Sequence, residues 1–280
     1  MKIIKNTLIQ GKHQKPVLVD MFYVQNNQSK NIVIFCHGYK GYKDWGAWNL
    51  VAEKFAKNNI FFLKMNFSHN GGTANQPIDF PDLEAFGNNN FTKELDDIDV
   101  VLDWIFQNTS FKKEMNLKNI TLIGHSRGGG TVLIKARENS NISKVISWAG
   151  VSDFGSIFPT GELLKEWKDN GVTYITNSRT HQEMPHYFQF YTNFKENEKR
   201  LFIKNAVEKL NIPYLIIHSS NDETVSLQDA KNLKSWNPNN HLHIIENSNH
   251  TFNSKHPWLE TFLPIELDNV VQKSIKFIIS

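Results

Sequence analysis

The sequence predicts an α/β fold, with a mostly parallel central sheet and helices on both of its faces. Short continuous apolar runs, typical of strands buried on both faces, recur along the chain. Amphipathic segments of helical period lie between these runs, and this alternation is the pattern of a parallel sheet. With 280 residues, 40% of them hydrophobic, the chain is long enough for a substantial core.

The charge, cysteine content and hydropathy of the chain exclude several classes of protein. The formal net charge is +3 and the basic residues form no block, so no nucleic-acid partner is expected. No apolar run reaches about 18 residues, so no membrane span is expected. Cys36 is the single cysteine, and the N-terminal segment lacks the pattern of a signal peptide. These features favour a cytoplasmic protein, and they leave a homodimer open.

The individual elements follow from the apolar runs and their period. We expect strands at 16–24, 31–38, 60–67, 119–124, 144–150, 214–220 and 242–247. We expect helices at 45–59, 91–108, 129–139 and 227–236, and one from 267 onward. The segment 91–108 has the clearest apolar stripe, and Thr92 is placed to cap its N-terminus.

An aromatic, irregular insertion interrupts this alternation between Val151 and about Asn205. Residues 161–171, GELLKEWKDNG, predict a short helix closed by Gly171. Residues 171–176 and 186–194 predict the two strands of a hairpin. An insertion of this length between two strands of a sheet is more often functional than idle.

A serine bracketed by glycines lies between the strand 119–124 and the following helix. The segment GHSRG has Gly124 two residues before Ser126 and Gly128 two residues after it. This G-x-S-x-G pattern is typical of a nucleophile elbow, a turn so tight that the flanking positions favour glycine. The pattern alone also fits a glycine-rich connection with an incidental serine.

A serine nucleophile needs a base and an orienting carboxylate, each expected just after a later strand. Asp222 follows the strand 214–220, and His250 follows the strand 242–247. Both lie at carboxyl ends of strands, where open α/β sheets place their sites. Residue type, order and position therefore predict a triad of Ser126, Asp222 and His250.

Several other residues compete for these roles. Glu223 is an alternative acid one residue further from its strand, and Asp229 is expected to be a surface charge. His241 and His243 share one strand face, but no acidic or cysteine partner at ligand spacing supports a metal site. His125 is expected to pack and position rather than act as the base. Three more histidines either contact the substrate or have no functional role: His181, His186 and His256.

The oxyanion formed during attack needs preorganised hydrogen-bond donors. The backbone N–H of Arg127, next to the nucleophile, is the first expected donor. The second is expected in the loop FCHGYKGYKDWG, where Tyr39 follows the His-Gly pair at a strand end. Gly41 lets that backbone approach a substrate. A plain glycine-rich loop remains the alternative interpretation.

Together, HGYKG, GHSRGG, DETV and NHTF resemble the α/β-hydrolase superfamily, in its dienelactone-hydrolase, serine-aminopeptidase and cinnamoyl-esterase-like branch. The resemblance covers nearly the whole chain and implies an α/β-hydrolase core, residues 1–152 and 206–280, with a small cap or lid, residues 153–205. It implies Ser126 as nucleophile, Asp222 as acid and His250 as base, with the amides of Tyr39 and Arg127 as oxyanion hole. Cys36 lies inside an early strand and cannot replace Ser126, although dienelactone hydrolases proper use cysteine.

By the same resemblance, the cap supplies groups that contact the substrate. The aromatic side chains expected there are Tyr174, Tyr187, Phe188 and Tyr191. His186 in the cap and His125 beside the nucleophile are further candidates for contact with the substrate. The alternative is that these aromatic side chains form the core of the cap.

The residues and the resemblance predict a serine carboxylesterase that cleaves small or medium acyl, and also aryl, esters. The expected partner is a small-molecule ester, and no metal or organic cofactor is needed. Two alternatives remain: a peptidase or amidase acting on short peptides, and a non-catalytic binding protein with the same fold. The chain has no room for the propeller domain of prolyl-peptidase relatives, which weakens the peptidase alternative. The acyl and leaving groups stay open.

Overall fold

The structure, a computed structural model, describes residues 1–280 and contains one eight-stranded sheet. The strands of this sheet are β1 (Lys2–Ile9), β2 (Val17–Tyr23), β3 (Lys30–Cys36), β4 (Phe61–Asn66), β5 (Met115–His125), β6 (Ile142–Trp148), β9 (Tyr214–Ser219) and β10 (His241–Ile245). Their order across the sheet is β1-β2-β4-β3-β5-β6-β9-β10. A separate antiparallel hairpin consists of β7 (Val172–Thr176) and β8 (Glu183–Tyr187).

The six strands from β4 to β10 run parallel, and β2 pairs antiparallel with both β4 and β1. β5 lies between β3 and β6 in the middle of this parallel region. Cys36 pairs in register with Gly124, so the loops after β3 and β5 leave the same edge of the sheet side by side. The mostly parallel sheet predicted from the sequence is confirmed.

Nine α-helices surround the sheet and the hairpin. They are α1 (Trp48–Lys57), α2 (Leu83–Gly87), α3 (Phe91–Gln107), α4 (Arg127–Glu138), α5 (Gly161–Asn170), α6 (Gln189–Glu196), α7 (Ile203–Glu208), α8 (Leu227–Trp236) and α9 (Ile265–Ile279). Alternate residues of β3 face opposite sides, with Ile34 towards α3 and α4 and Phe35 towards α1. Both faces of the sheet are thereby covered, which explains its continuous apolar strands. None of the helices is both long and apolar enough to cross a membrane.

Some elements differ from the sequence-based prediction. β1, α2 and α7 were not predicted. The helix α3 begins one residue before Thr92, and its N-cap is Asn90, whose side-chain oxygen accepts a hydrogen bond from the N–H of Lys93 at 3.0 Å. The prediction of Thr92 as the cap is wrong because Thr92 already lies in the first helical turn.

The insertion between β6 and β9 contains the hairpin, a short 3-10 helix at residues 155–157, and α5 to α7. α5 ends at Gly171 with φ of 71°, as its sequence predicts. The second predicted strand of the hairpin, 186–194, is wrong beyond Tyr187, because residues 189–196 form α6. Phe190 and Phe194, four residues apart, share one helical face and pack against Phe91 and Phe158.

Candidate active site

Ser126 occupies the turn between β5 and α4 in a strained backbone conformation. Its φ is 57° and its ψ is −123°, a region that L-residues rarely adopt. The turn is held on both sides, because the N–H of Ser126 donates to Trp148 O at 2.9 Å and its C=O accepts from Gly129 N at 2.9 Å. This is the geometry expected of a nucleophile elbow.

The glycines around Ser126 allow three segments of backbone to pack together. A Cβ on Gly124 would lie 2.1 Å from the carbonyl oxygen of Gly128. A Cβ on Gly128 would lie 2.5 Å from the carbonyl oxygen of His37, and one on Gly38 would lie 2.7 Å from the Cβ of Ser126. The loop after β3 therefore passes directly beside the serine.

Asp222 lies in the loop after β9 with a fully buried carboxylate. Its Oδ1 accepts hydrogen bonds from the N–H groups of Thr224 and Val225 at 2.9 and 2.8 Å, and its Oδ2 contacts His250. Burial by itself raises the pKa of this carboxyl, but the hydrogen bond and charge of His250, with the two backbone donors, lower it overall. Asp222 is therefore ionised at neutral pH.

His250 lies in the loop after β10, with its Nδ1 2.8 Å from Oδ2 of Asp222. An ionised carboxylate only accepts, so Nδ1 carries the proton and Nε2 is the nitrogen free to act as a base. The ring is partly exposed, at 16% of its side-chain surface. The structure thus brings together Asp222 and His250, the two residues that the sequence predicts as acid and base.

His125 supports the His250 loop and does not face the cavity next to Ser126. Its Nε2 lies 2.9 Å from the carbonyl oxygen of His250, so Nε2 carries a proton and donates it. Burial, together with the nearby His250, lowers the pKa of His125 to about 3, so the ring is neutral. His125 is not part of the wall of that cavity, and its contact with substrate stays a prediction.

The backbone N–H groups of Tyr39 and Arg127 donate no hydrogen bond within the chain. Tyr39 follows Gly38, which packs against Ser126, and Gly41 N–H donates to Gly38 O at 3.0 Å to close the turn. Arg127 is the first residue of α4, whose N-terminal end carries partial positive charge. Both free donors therefore lie beside the serine.

A cavity of about 270 Å³ opens next to Ser126. Its wall is largely apolar and comes from the loop after β6, the 3-10 helix, α5, β7 and α6. The wall residues besides Ser126 are Tyr39, Arg127, Val151, Asp153, Phe154, Ile157, Phe158, Pro159, Trp167, Thr173, Ile175, His186, Phe190, Thr224 and Val225. A site of this kind fits a small apolar ligand held against the serine.

Of the cap side chains expected at the substrate, His186 lines this cavity. Tyr174, Tyr187, Phe188 and Tyr191 do not, so this cavity gives no support to the expectation that they contact the substrate. On β7 the neighbours Thr173 and Ile175 face the cavity, so strand alternation turns Tyr174 to solvent, where it is 56% exposed.

The other three aromatic residues are held by packing or hydrogen bonding away from the cavity. The hydroxyl of Tyr187 donates to Glu84 on α2. Within the insertion, the ring of Phe188 packs edge-on against Trp167, and the ring of Tyr191 packs against Trp167 at a tilt. Those two side chains therefore belong to the core of the insertion, the alternative that the sequence left open.

The remaining candidates lie outside the cavity. Glu223 is exposed. Asp229 is not a plain surface charge, since its Oδ1 accepts both the N–H and the hydroxyl of Ser152, at 2.8 and 2.7 Å. His181 is exposed, and His256 accepts Gly46 N–H through Nδ1 at 2.9 Å. His241 and His243 lie on the edge strand in a cleft with three lysines: Lys144, Lys273 and Lys276.

Sequence reasoning missed the side-chain partner of Arg127. The guanidinium forms an ion pair with Glu94 of α3 and lies over the ring of Tyr39, 5.3 Å from its centroid. It also missed Phe154, Phe158 and Trp167 as cavity wall. The buried Glu94 inside the apolar stripe of α3 was the one signal available, because a charge at such a position needs a partner.

Known proteins resemble this chain in sequence and in fold. The family model BD-FAE matches residues 19–237. Est1E from Butyrivibrio proteoclasticus superposes with a TM-score of 0.72 at 17% identity, covering 99% of this chain and 98% of that one. A putative hydrolase from Agrobacterium vitis superposes with a TM-score of 0.73 at 17% identity, covering both chains fully. A dienelactone hydrolase from Anabaena variabilis gives 0.64 at 15%, covering 99% and 97%.

One curated relative matches only part of this chain. A putative esterase/lipase 2 of Mycoplasma genitalium is 27% identical over 114 residues, which are 41% of this chain. The match spans 35% of that relative's own length.

The mostly parallel sheet is that of an α/β-hydrolase, and it carries the strained Ser126 and the contact between Asp222 and His250 at its strand ends. Since the family model covers most of the sheet and the insertion, the chain belongs to the BD-FAE family.

Proposed function

We propose that this protein is a serine carboxylesterase that cleaves small or medium acyl esters through an acyl-enzyme intermediate. One observation carries the proposal: Ser126 lies on a strained turn at the wall of an apolar cavity, and the Asp222–His250 pair occupies neighbouring strand ends. The esterase names of several similar proteins support it, and Est1E has been solved with ferulic acid bound.

In the proposed reaction, Oγ of Ser126 attacks the ester carbonyl carbon while Nε2 of His250 takes its proton. The oxyanion accepts hydrogen bonds from the N–H groups of Tyr39 and Arg127. The carbonyl then re-forms as the C–O bond to the alcohol breaks, and His250 protonates that oxygen. Water, deprotonated by His250, attacks the acyl-enzyme, and Ser126 leaves with the proton as the acid is released.

Asp222 orients His250 in this scheme and stabilises its charged form. Because its pKa is lowered, Asp222 stays ionised at neutral pH and can hold this role throughout the reaction. Every step uses groups of the chain and water.

We further propose that residues 153–205 act as the cap over the site, that residues 1–152 and 206–280 form the core, and that the protein is cytoplasmic. The buried free thiol of Cys36 suits a reducing compartment.

The proposal is tested by comparing p-nitrophenyl esters with aminoacyl-p-nitroanilides as substrates. We expect the esters to be hydrolysed and His250→Ala to lower kcat by about 10³-fold or more with little change in folding. Faster cleavage of the anilides would instead identify an amidase acting on short peptides. Near-native turnover by His250→Ala would rule out His250 as the base.

A further inference from the structure

The cavity beside Ser126 carries two charged side chains on its wall, Arg127 and Asp153. A cation so close to the nucleophile would ordinarily attract acyl groups that carry a carboxylate. Whether Arg127 can do so depends on how its charge is used within the chain.

The charge of Arg127 is already paired. Its Nη2 contacts Oε1 of Glu94, a side chain that is only 2% exposed. The guanidinium also lies over three aromatic rings, with its carbon 5.3 Å from the centroid of Tyr39, 5.5 Å from Phe91 and 5.8 Å from Phe190. Pairing and stacking hold the guanidinium in place, so it is not a free binding site for an anion.

Glu94 is itself fixed by neutral donors. The side-chain amide of Asn89 donates to Oε1 at 2.9 Å, and the hydroxyl of Thr131 donates to Oε2 at 3.3 Å. Separating a buried ion pair leaves an uncompensated charge and is strongly unfavourable. Glu94 therefore neutralises the cavity cation in the folded protein.

Asp153 makes the wall less favourable still for an anion. It is exposed at the cavity, and its Oδ1 accepts only the N–H of Gly155, at 2.7 Å. With Arg127 cancelled by Glu94, the wall carries one uncompensated negative charge. Lys40 is not part of the wall, although its Nζ lies 5.3 Å from the ring centroid of Tyr39.

In the proposed reaction, the wall residues place the cavity on the acyl side of the ester. Tyr39 and Arg127, whose N–H groups would bind the carbonyl oxygen, form part of its wall. His250, which would protonate the departing alcohol, does not. The acyl chain attached to the carbonyl therefore extends into the cavity, and the alcohol extends towards His250.

We propose that the enzyme selects neutral, apolar acyl groups over carboxylate-bearing ones, and that Glu94 is the residue that sets this preference by neutralising Arg127. The inference rests on the proposed esterase function and names its substrate class. The apolar wall favours an alkyl or aryl chain, and the paired guanidinium offers no compensation for bringing a carboxylate out of water.

The test compares two 4-methylumbelliferyl esters of matched chain length, the heptanoate and the adipate monoester. We expect wild-type kcat/KM for the heptanoate to exceed that for the adipate by about 100-fold or more. Glu94→Gln keeps the shape of the side chain but frees the guanidinium, and we expect it to reduce this ratio by about tenfold. The double variant Glu94→Gln/Arg127→Gln removes both charges and should return the ratio towards the wild-type value.

Each result decides for or against the proposal. Equal wild-type activity on the two esters would overturn it without any variant, even if Glu94→Gln fails to fold. An unchanged ratio in Glu94→Gln, or a gain that persists in the double variant, would also overturn it. Titrating the active sites with a fluorophosphonate separates this failure from failure of the esterase function: a labelled Ser126 with no acyl discrimination defeats the specificity alone. An unlabelled protein inactive on both esters defeats both.

Discussion

At the residue scale, the glycine bracket around Ser126 is a packing requirement. The sequence predicted a turn too tight for side chains, and the distances from Gly124 and Gly128 explain why. The sequence could not show that Gly38, in a loop far away along the chain, also makes room for the serine. That approach depends on the register between β3 and β5.

We expect Gly124→Ala to destabilise the protein by about 3 kcal/mol, since its new methyl group would collide with backbone that cannot rotate away. The control is Gly161→Ala, which has positive φ but open space and should cost about 1 kcal/mol. Urea unfolding measures both. Equal losses for the two variants would mean that the contact between Gly124 and Gly128 is not a tight one.

Asp222→Asn is expected to lower kcat by about 10⁴-fold at neutral pH, because an amide can offer His250 Nδ1 an N–H and so favour the wrong tautomer. The matched control is the exposed neighbour, Glu223→Gln, which should leave kcat unchanged. Steady-state ester hydrolysis measures both variants. A large loss of kcat in the Glu223 variant would identify Glu223, and not Asp222, as the acid.

At the scale of elements, buried strands and long amphipathic helices were predictable, whereas the exposed strand β1 and the short helices α2 and α7 were not. β1 is exposed along most of its length, with Leu8 at 55%, so it shows no continuous apolar run. In α6 the aromatic residues favour a strand locally, but tertiary contacts of Phe190 and Phe194 select the helix. Their spacing of four residues was the signal available.

Three buried charges and the half-buried Asp44 anchor the loop that carries Tyr39. Asp20 on β2 contacts Nζ of both Lys43 and Lys64, at 2.9 and 2.8 Å, and Asp44 contacts the same two lysines. We expect Asp20→Asn to destabilise the protein by about 3 kcal/mol, because two buried cations would then share one carboxylate. Urea unfolding tests this against Asp103→Asn on the exposed side of α3, which should cost little. A small loss at Asp20 would show that water or rearrangement compensates the lysines.

At the scale of the whole molecule, the mostly parallel sheet and the meeting of three loops at one sheet edge followed from the sequence, whereas the order of the strands did not. The arrangement of the insertion did not, because its aromatic side chains pack against one another and against α3 rather than following a single period. His186 reaches the cavity while Tyr187 turns away. The ion pair of Arg127 with Glu94 likewise joins two helices that only the folded chain brings together.

Asp97 on α3 gives the fold a pH dependence that is opposite to the usual carboxylate behaviour. Burial raises its pKa to about 7, although it accepts the N–H of Ser68 at 2.7 Å. The stability that protonated Asp97 contributes is therefore fully present below pH 3.8, the pKa of this carboxyl in the unfolded chain. It is lost as the pH rises through about 7, the pKa in the folded protein.

We expect Asp97→Asn to gain stability relative to wild type as pH rises from 4 to 7, by about 1 kcal/mol per pH unit. Urea unfolding at several pH values measures this difference. The exposed Asp103→Asn should show no such trend. A difference for Asp97→Asn that does not change with pH would mean that Asp97 is ionised throughout.

The proposed function requires Ser126 to form a covalent acyl intermediate. The most direct measurement is to quench the protein during turnover of a p-nitrophenyl acyl ester and map the adduct by mass spectrometry. We expect the mass of one acyl group on the peptide that contains Ser126, and none in Ser126→Ala. An adduct on another residue, or the same adduct in Ser126→Ala, would contradict the account.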